Sequence, residues 1–237
     1  MLKGLYTSYS GLTVQQKRLD VVSNNLANAT TTGYKKEGLT TQSFKDVYGI
    51  KVKDETVGYI NQNIGTLNLG AKVGESFRSW DQGSFQNTGN TFDFALSGSG
   101  LFSISFTNKA GETSTLYTRD GSFQMNREGY LVTKDGDFVL GENGPIQLPT
   151  DFEKLTVEES GEIYADGQYV DRFALVDFEN YDYVEAYGEN LYRAVDGATQ
   201  TDATATATIV EAFRATGAEA AAARWVRTGL VLSLIHI

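Results

Sequence analysis

A chain of 237 residues with 41 % hydrophobic and 21 % charged side chains has room for one large domain or two modest ones, which excludes collagen-like and wholly disordered architectures. The formal net charge of −10 sets the surface against phosphate backbones and anionic lipid, and the densest positive spot is only the pair Lys35 and Lys36, so no nucleic-acid partner is expected. With no cysteine, disulfides, thiolate metal sites and cysteine nucleophiles are excluded.

The opening residues, Met1-Leu2-Lys3-Gly4-Leu5-Tyr6, lack the apolar core of a secretory signal, and no stretch is apolar enough for direct membrane insertion. Any route out of the cytoplasm is therefore expected to work without a cleaved signal. Residues 2 to 27 predict one amphipathic helix. Leu5, Tyr9, Leu12, Gln16, Leu19, Ser23 and Leu26 alternate four and three apart, the spacing of a coiled-coil seam, and Leu2 and Val22 widen the stripe. An ordinary surface helix packed on its own domain fits the same spacing. The helix should stop near Asn28, where Thr30-Thr31-Thr32 weakens helix and Gly33 supplies positive φ.

From Tyr34 to Gly74 the pattern is loose and predicts short strands and loops. Between Ser76 and Tyr192 it turns to period two: Phe102, Ile104 and Phe106 alternate with polar residues, as do Phe123 and Met125. The dipeptides Asp120-Gly121, Glu128-Gly129, Asp135-Gly136, Asn143-Gly144 and Asp166-Gly167 mark hairpin turns, and Leu175, Val176 and Phe178 predict a further strand. After Thr199 the composition shifts to Thr-Ala alternation, an alanine-rich stretch and an apolar run from Leu230 to Ile237. The fold class is mainly β with a long N-terminal α-helix. Its expected segments are 1–34 (helix and following turn), 35–75 (extended connector), 76–198 (β-rich core) and 199–237 (C-terminal segment).

Catalytic constellations are scarce. The sole histidine is His236, in the tail, which removes Ser-His-Asp triads and histidine metal sites from the core. Gly98-Ser99-Gly100 lacks the third glycine of a phosphate-binding fingerprint and runs straight into a strand pattern. Asp135 with Asp137, or Glu158 with Glu159, could supply an acid/base pair for a hydrolase, but turn and surface positions explain both pairs more simply. Asp135-Gly136-Asp137 is too short for an EF-hand calcium loop. Accordingly no catalytic residue, cofactor or metal is expected.

The segment Leu19-Asp20-Val21-Val22-Ser23-Asn24-Asn25-Leu26-Ala27-Asn28-Ala29-Thr30-Thr31-Thr32-Gly33-Tyr34-Lys35 closely resembles the N-terminal signature of the flagellar rod and hook protein family. Thr88-Gly89-Asn90-Thr91-Phe92-Asp93-Phe94-Ala95-Leu96-Ser97-Gly98-Ser99-Gly100-Leu101-Phe102 resembles the strand entry of its distal-rod members. Tyr117-Thr118-Arg119-Asp120-Gly121-Ser122-Phe123, then Gly129-Tyr130-Leu131-Val132-Thr133 and Gly144-Pro145-Ile146-Gln147-Leu148-Pro149, continue the likeness, which covers about residues 1 to 210. The resemblance implies a terminal helical domain packed into the rod wall and an outer β domain. It implies a structural subunit of the distal rod in the flagellar basal body, a periplasmic location in a Gram-negative cell, and torque transmission from motor to hook. Its partners would be copies of itself, other rod and hook proteins and the flagellar type III export apparatus. Leu5, Tyr9, Leu12, Leu19, Val22 and Leu26 would form the assembly interface, and Asn24, Asn25, Asn28, Gly33 and Tyr34 the signature turn.

Because an isolated helix of this length is marginal in water, the segment is expected to order on assembly. Where the family has a second long helix, this chain departs from it after about Val210. Non-native closing residues are expected there, with a divergent helix over about Glu219 to Arg227 as the other reading. A secreted carbohydrate-binding module using Trp80, Tyr181 and Tyr183 is the alternative function, although the N-terminal signature has no place in it.

Overall fold

The computed structural model describes residues 2–51, 62–109, 111–188, 190–203, 206–211 and 213–215. The expectations for the tail, including the helix over 219–227, lie outside the described residues. The described chain divides into two compact units: one holds the residues through Ala27 and those from Lys35 to Trp80, the other Asn28–Tyr34 and the residues from Asp81 onward.

In the first unit the helix Leu2–Ala27 is followed by two antiparallel strand pairs, Glu37–Ser43 with Ala71–Arg78 and Val47–Lys51 with Gln62–Leu67. The register of the first pair shifts between Leu39 and Thr41. There the Thr40 hydroxyl accepts from the Glu75 amide at 2.8 Å and donates to the Glu75 carbonyl at 2.9 Å, so a side chain completes the ladder across the bulge. The helix packs on both strands of this pair.

The second unit is built on a ten-stranded antiparallel sheet around the central strand Leu101–Thr107. That strand pairs along its length with Thr113–Thr118, and on its other side with Leu175–Phe178 at one end and Phe138–Gly141 at the other. Being covered on both faces, it buries Ser103 as well as Phe102 and Ile104. A three-stranded sheet, Leu155–Val157, Glu162–Ala165 and Gln168–Arg172, adds Val157 and Ile163 to the core. Two further pairs join distant ends of the unit: Ala207–Glu211 lies along Phe94–Gly98, and Phe213–Ala215 along Phe85–Asn87.

Four phenylalanines centre the core. Phe102 meets Phe123 edge-on at 5.2 Å and Phe173 at 5.5 Å, and Phe94 lies 5.3 Å from Phe173. Each buried ring contributes about 1.5–3 kcal/mol by leaving water, with about 0.5–1.5 kcal/mol more per ring pair.

The turns at Glu128-Gly129, Asp135-Gly136, Asn143-Gly144 and Asp166-Gly167 stand where the pattern predicts them. Asp120-Gly121 does not form a hairpin turn. Gly121 accepts from the Phe94 amide at 2.9 Å, and a Cβ there would fall 1.8 Å from the Phe94 carbonyl oxygen, so glycine serves a close backbone approach instead.

Candidate assembly surface

A helix turns once in about 3.6 residues, so two stripes of three-and-four spacing can occupy opposite faces of it. On Leu2–Ala27 the face against the strands carries Thr7, Ser10, Val14, Val21 and Asn25, all at least partly buried. Its residues are mostly small. The approach is closest at Gly70, where an added Cβ would meet Ser10 Oγ at 2.1 Å and the Thr7 Cα at 3.4 Å. Thr7 Oγ1 donates back to the Lys3 carbonyl and Ser10 Oγ to the Thr7 carbonyl, so this tight face strands neither hydroxyl.

The apolar stripe lies away from that contact. Leu5, Tyr9, Leu12, Leu19, Val22 and Leu26 are between 54 % and 75 % exposed. An apolar stripe on a surface helix ordinarily marks the side buried in its own domain. Here that side is the one of smaller side chains, with Val14 its most buried residue, and the leucines remain in water.

The signature residues divide between the two units. Asn25 hydrogen-bonds both backbone groups of Glu37: Nδ2 donates to the carbonyl at 2.8 Å and Oδ1 accepts from the amide at 2.9 Å. Its amide thus imitates a neighbouring strand and ties the last helical turn to the start of Glu37–Ser43. Asn24 is exposed on the helix and Tyr34 partly buried. In the β unit the Asn28 carbonyl accepts from the Thr31 amide at 3.1 Å, and Asn28 Oδ1 from Thr31 Oγ1 at 3.2 Å. Gly33 is left-handed at φ 72°, and a Cβ on it would lie 2.5 Å from the Asp120 nitrogen.

Three functional positions carry no local signal. Asn190 Nδ2 donates to the Thr32 carbonyl at 2.8 Å and helps pin the signature turn to the β unit. Arg119, buried in that unit, donates to the carbonyls of Leu96, Gly98 and Gly100 and to Gln82 Oε1. Burial draws its guanidinium down to about 10, while Tyr181, Asp177 and Tyr192 hold it up, so it stays charged near neutrality. Lys35, half of the positive pair read from sequence, is buried and donates to the Trp80 carbonyl at 3.1 Å, so it is not a surface charge.

Asp135 is exposed in its turn, and the Asp137 carboxyl is pushed up by burial and then by the Asp135 charge. Glu158 and Glu159 are exposed at a turn whose backbone closes by the Glu158 amide donating to the Glu162 carbonyl. The turn Gly98-Ser99-Gly100 offers carbonyls to Arg119. Trp80 belongs to the first unit and Tyr181 and Tyr183 to the second, where Tyr181 donates to Asp177. Among the described residues no cluster of acidic or histidine side chains could hold a metal ion, and no helix is long and apolar enough to cross a membrane.

Comparison with known families places these features. Residues 5–35 match the flagella basal body rod protein family, and residues 95–165 match the D1 domain of the flagellar hook proteins FlgE/F/G. The flagellar basal-body rod protein FlgG of Bacillus subtilis is 36 % identical over 204 residues, 81 % of this chain and 74 % of the relative. The chain belongs to the flagellar basal-body rod protein family. FlgG of Agrobacterium fabrum is 31 % identical over 202 residues, covering 81 % of the chain and 73 % of its own length. The flagellar hook protein FlgE of Helicobacter mustelae is 38 % identical over 145 residues, 60 % of this rod protein and 31 % of the hook protein. The rod protein is a structural subunit of the flagellar basal body, of the distal type.

Proposed function

We propose that this rod subunit assembles with copies of itself, and with other rod and hook proteins, into a helical tube that carries torque from motor to hook. The observation that carries the reading is the exposed stripe from Leu5 to Leu26, on a helix whose opposite face already holds it to its own unit. Burying each leucine against a neighbouring subunit contributes about 1.5–3 kcal/mol, enough over several residues to drive association. Head-to-tail contacts that do not close into a ring build an open helical polymer. In this account 1–34 is the assembly element, 35–75 the connector and 76–198 the β-rich body, and the helix gains its full order only in the polymer. Export runs through the flagellar type III apparatus without a cleaved signal. The subunit has no catalytic role.

The test is sedimentation velocity across a concentration series, comparing the chain with a variant carrying Leu5→Ser, Leu12→Ser and Leu19→Ser. The native stripe should give larger species as concentration rises, and the variant should stay monomeric with its melting temperature unchanged. A variant that melts many degrees lower while associating normally would mean that the stripe is internal packing and would sink the proposal.

A further inference from the structure

Asn143-Gly144 is the only asparagine–glycine step in the sequence. It closes the two-residue turn between Phe138–Gly141 and Gly144–Pro145, with Asn143 exposed and Gly144 partly so. In such a step the side-chain carbonyl carbon of the asparagine and the next backbone nitrogen can close a five-membered ring. Glycine leaves that nitrogen unshielded, and at Gly144 even an added Cβ would find nothing beyond its chain neighbours within 4 Å. The pairing that holds the turn is also short. It runs over two rungs, Leu140 with Pro145 and Gly141 with Gly144, and Pro145 has no N–H to give. Transient opening of so short an end breaks few bonds.

Asn143 is also the turn's attachment to the strand Gln168–Arg172. Its Nδ2 donates to Asp171 Oδ1 at 2.9 Å, and beside it the Glu142 amide donates to the Arg172 carbonyl at 3.0 Å. Asp171 is only 6 % exposed. Its other oxygen is wedged against Gly141, where an added Cβ would fall 2.4 Å from Oδ2. The carboxylate therefore has little room to withdraw from Asn143.

We propose that Asn143 is a site of spontaneous deamidation and that the reaction releases this turn from the strand. The Gly144 nitrogen attacks the side-chain carbonyl carbon of Asn143 and gives up its proton to water. The bond from that carbon to Nδ2 breaks, Nδ2 takes a proton from water and leaves as ammonia, and a cyclic imide remains. Water then opens the ring at either carbonyl, giving aspartate or isoaspartate. One water is consumed and one ammonia released, with no oxidant or reductant. Aspartate sets a second carboxylate against Asp171 in place of the donor, so a hydrogen bond becomes a repulsion. Isoaspartate also adds one carbon to the main chain of a two-residue turn and breaks its register. Either product detaches the turn, and neither step depends on the self-assembly reading.

The experiment is incubation of the purified full chain in mildly alkaline buffer, folded and in urea, followed by peptide mass mapping and labelling with an isoaspartate-specific methyltransferase. The peptide holding Asn143 should gain the mass of an amide-to-acid exchange before any other asparagine peptide, in the folded chain as in urea. An Asn143 that stays intact in the folded chain while it converts in urea, or that lags behind another asparagine, would overturn the site. Asn143→Asp tests the release. It should melt about 2–8 °C lower and exchange the Glu142 amide hydrogen faster. Adding Asp171→Asn returns one donor and one carboxylate to the contact and should recover most of both losses. Melting and exchange left unchanged by Asn143→Asp, or a double variant no better than the single one, would overturn the release.

Discussion

Asn25 occupies a helical position yet completes the hydrogen bonding of a strand, accepting from and donating to the same residue, Glu37. Truncation leaves an amide and a carbonyl partly buried and unmatched, which costs about 1–3 kcal/mol. Asn25→Ala should therefore lower the melting temperature of the helical unit, followed by circular dichroism. Asn25→Asp should lower it too, because a carboxylate can accept from the Glu37 amide but cannot donate to its carbonyl. The sequence marks this asparagine run as a helix stop, because the side chains and the glycine beyond them disfavour another turn. It does not reveal which asparagine reaches the strand, since that depends on how the chain returns to residue 37. Arg119 is hidden for the same reason: its acceptors, Leu96, Gly98 and Gly100, belong to a different hairpin edge.

The helix was legible at the scale of the element because its pitch writes itself into the spacing of Leu5, Leu12, Leu19 and Leu26. Which face it buries was not, since hydrophobicity points to the leucines while the contact is made through Thr7, Ser10 and Val14. Small residues are chosen there by distance, a property that spacing does not encode. Gly70 tests this. At φ 119° and with Ser10 Oγ in the way, Gly70→Ala should cost about 1–3 kcal/mol, part strain and part clash, measured by thermal or urea unfolding. Adding Ser10→Ala should recover the clash and leave the strain, so the two substitutions should be non-additive. The hairpin turns in the β unit were legible from their dipeptides. Asp120-Gly121 was not, because glycine there answers to a neighbouring backbone.

At the scale of the whole molecule the governing number is the net charge of −10. Burial of Lys35 removes one of the cations that could have offset it at an interface. Self-association should therefore strengthen as sodium chloride rises from about 0.05 to about 0.5 M, read as a higher weight-average sedimentation coefficient. Association that falls with salt would mean that paired charges, not leucines, dominate the interface.

The pairing of Ala207–Glu211 with Phe94–Gly98 also bears on time. A polypeptide leaves the ribosome from its N-terminus, and Leu96, wholly enclosed in the finished unit, has no strand beside it on that edge until Ile209 has been made. Closing so long a loop is entropically costly before any contact rewards it, and non-local pairing of this kind folds slowly. The edge of Phe94–Gly98 thus stays open until residues 207–211 have been made, and that strand acts as the latch of the β unit.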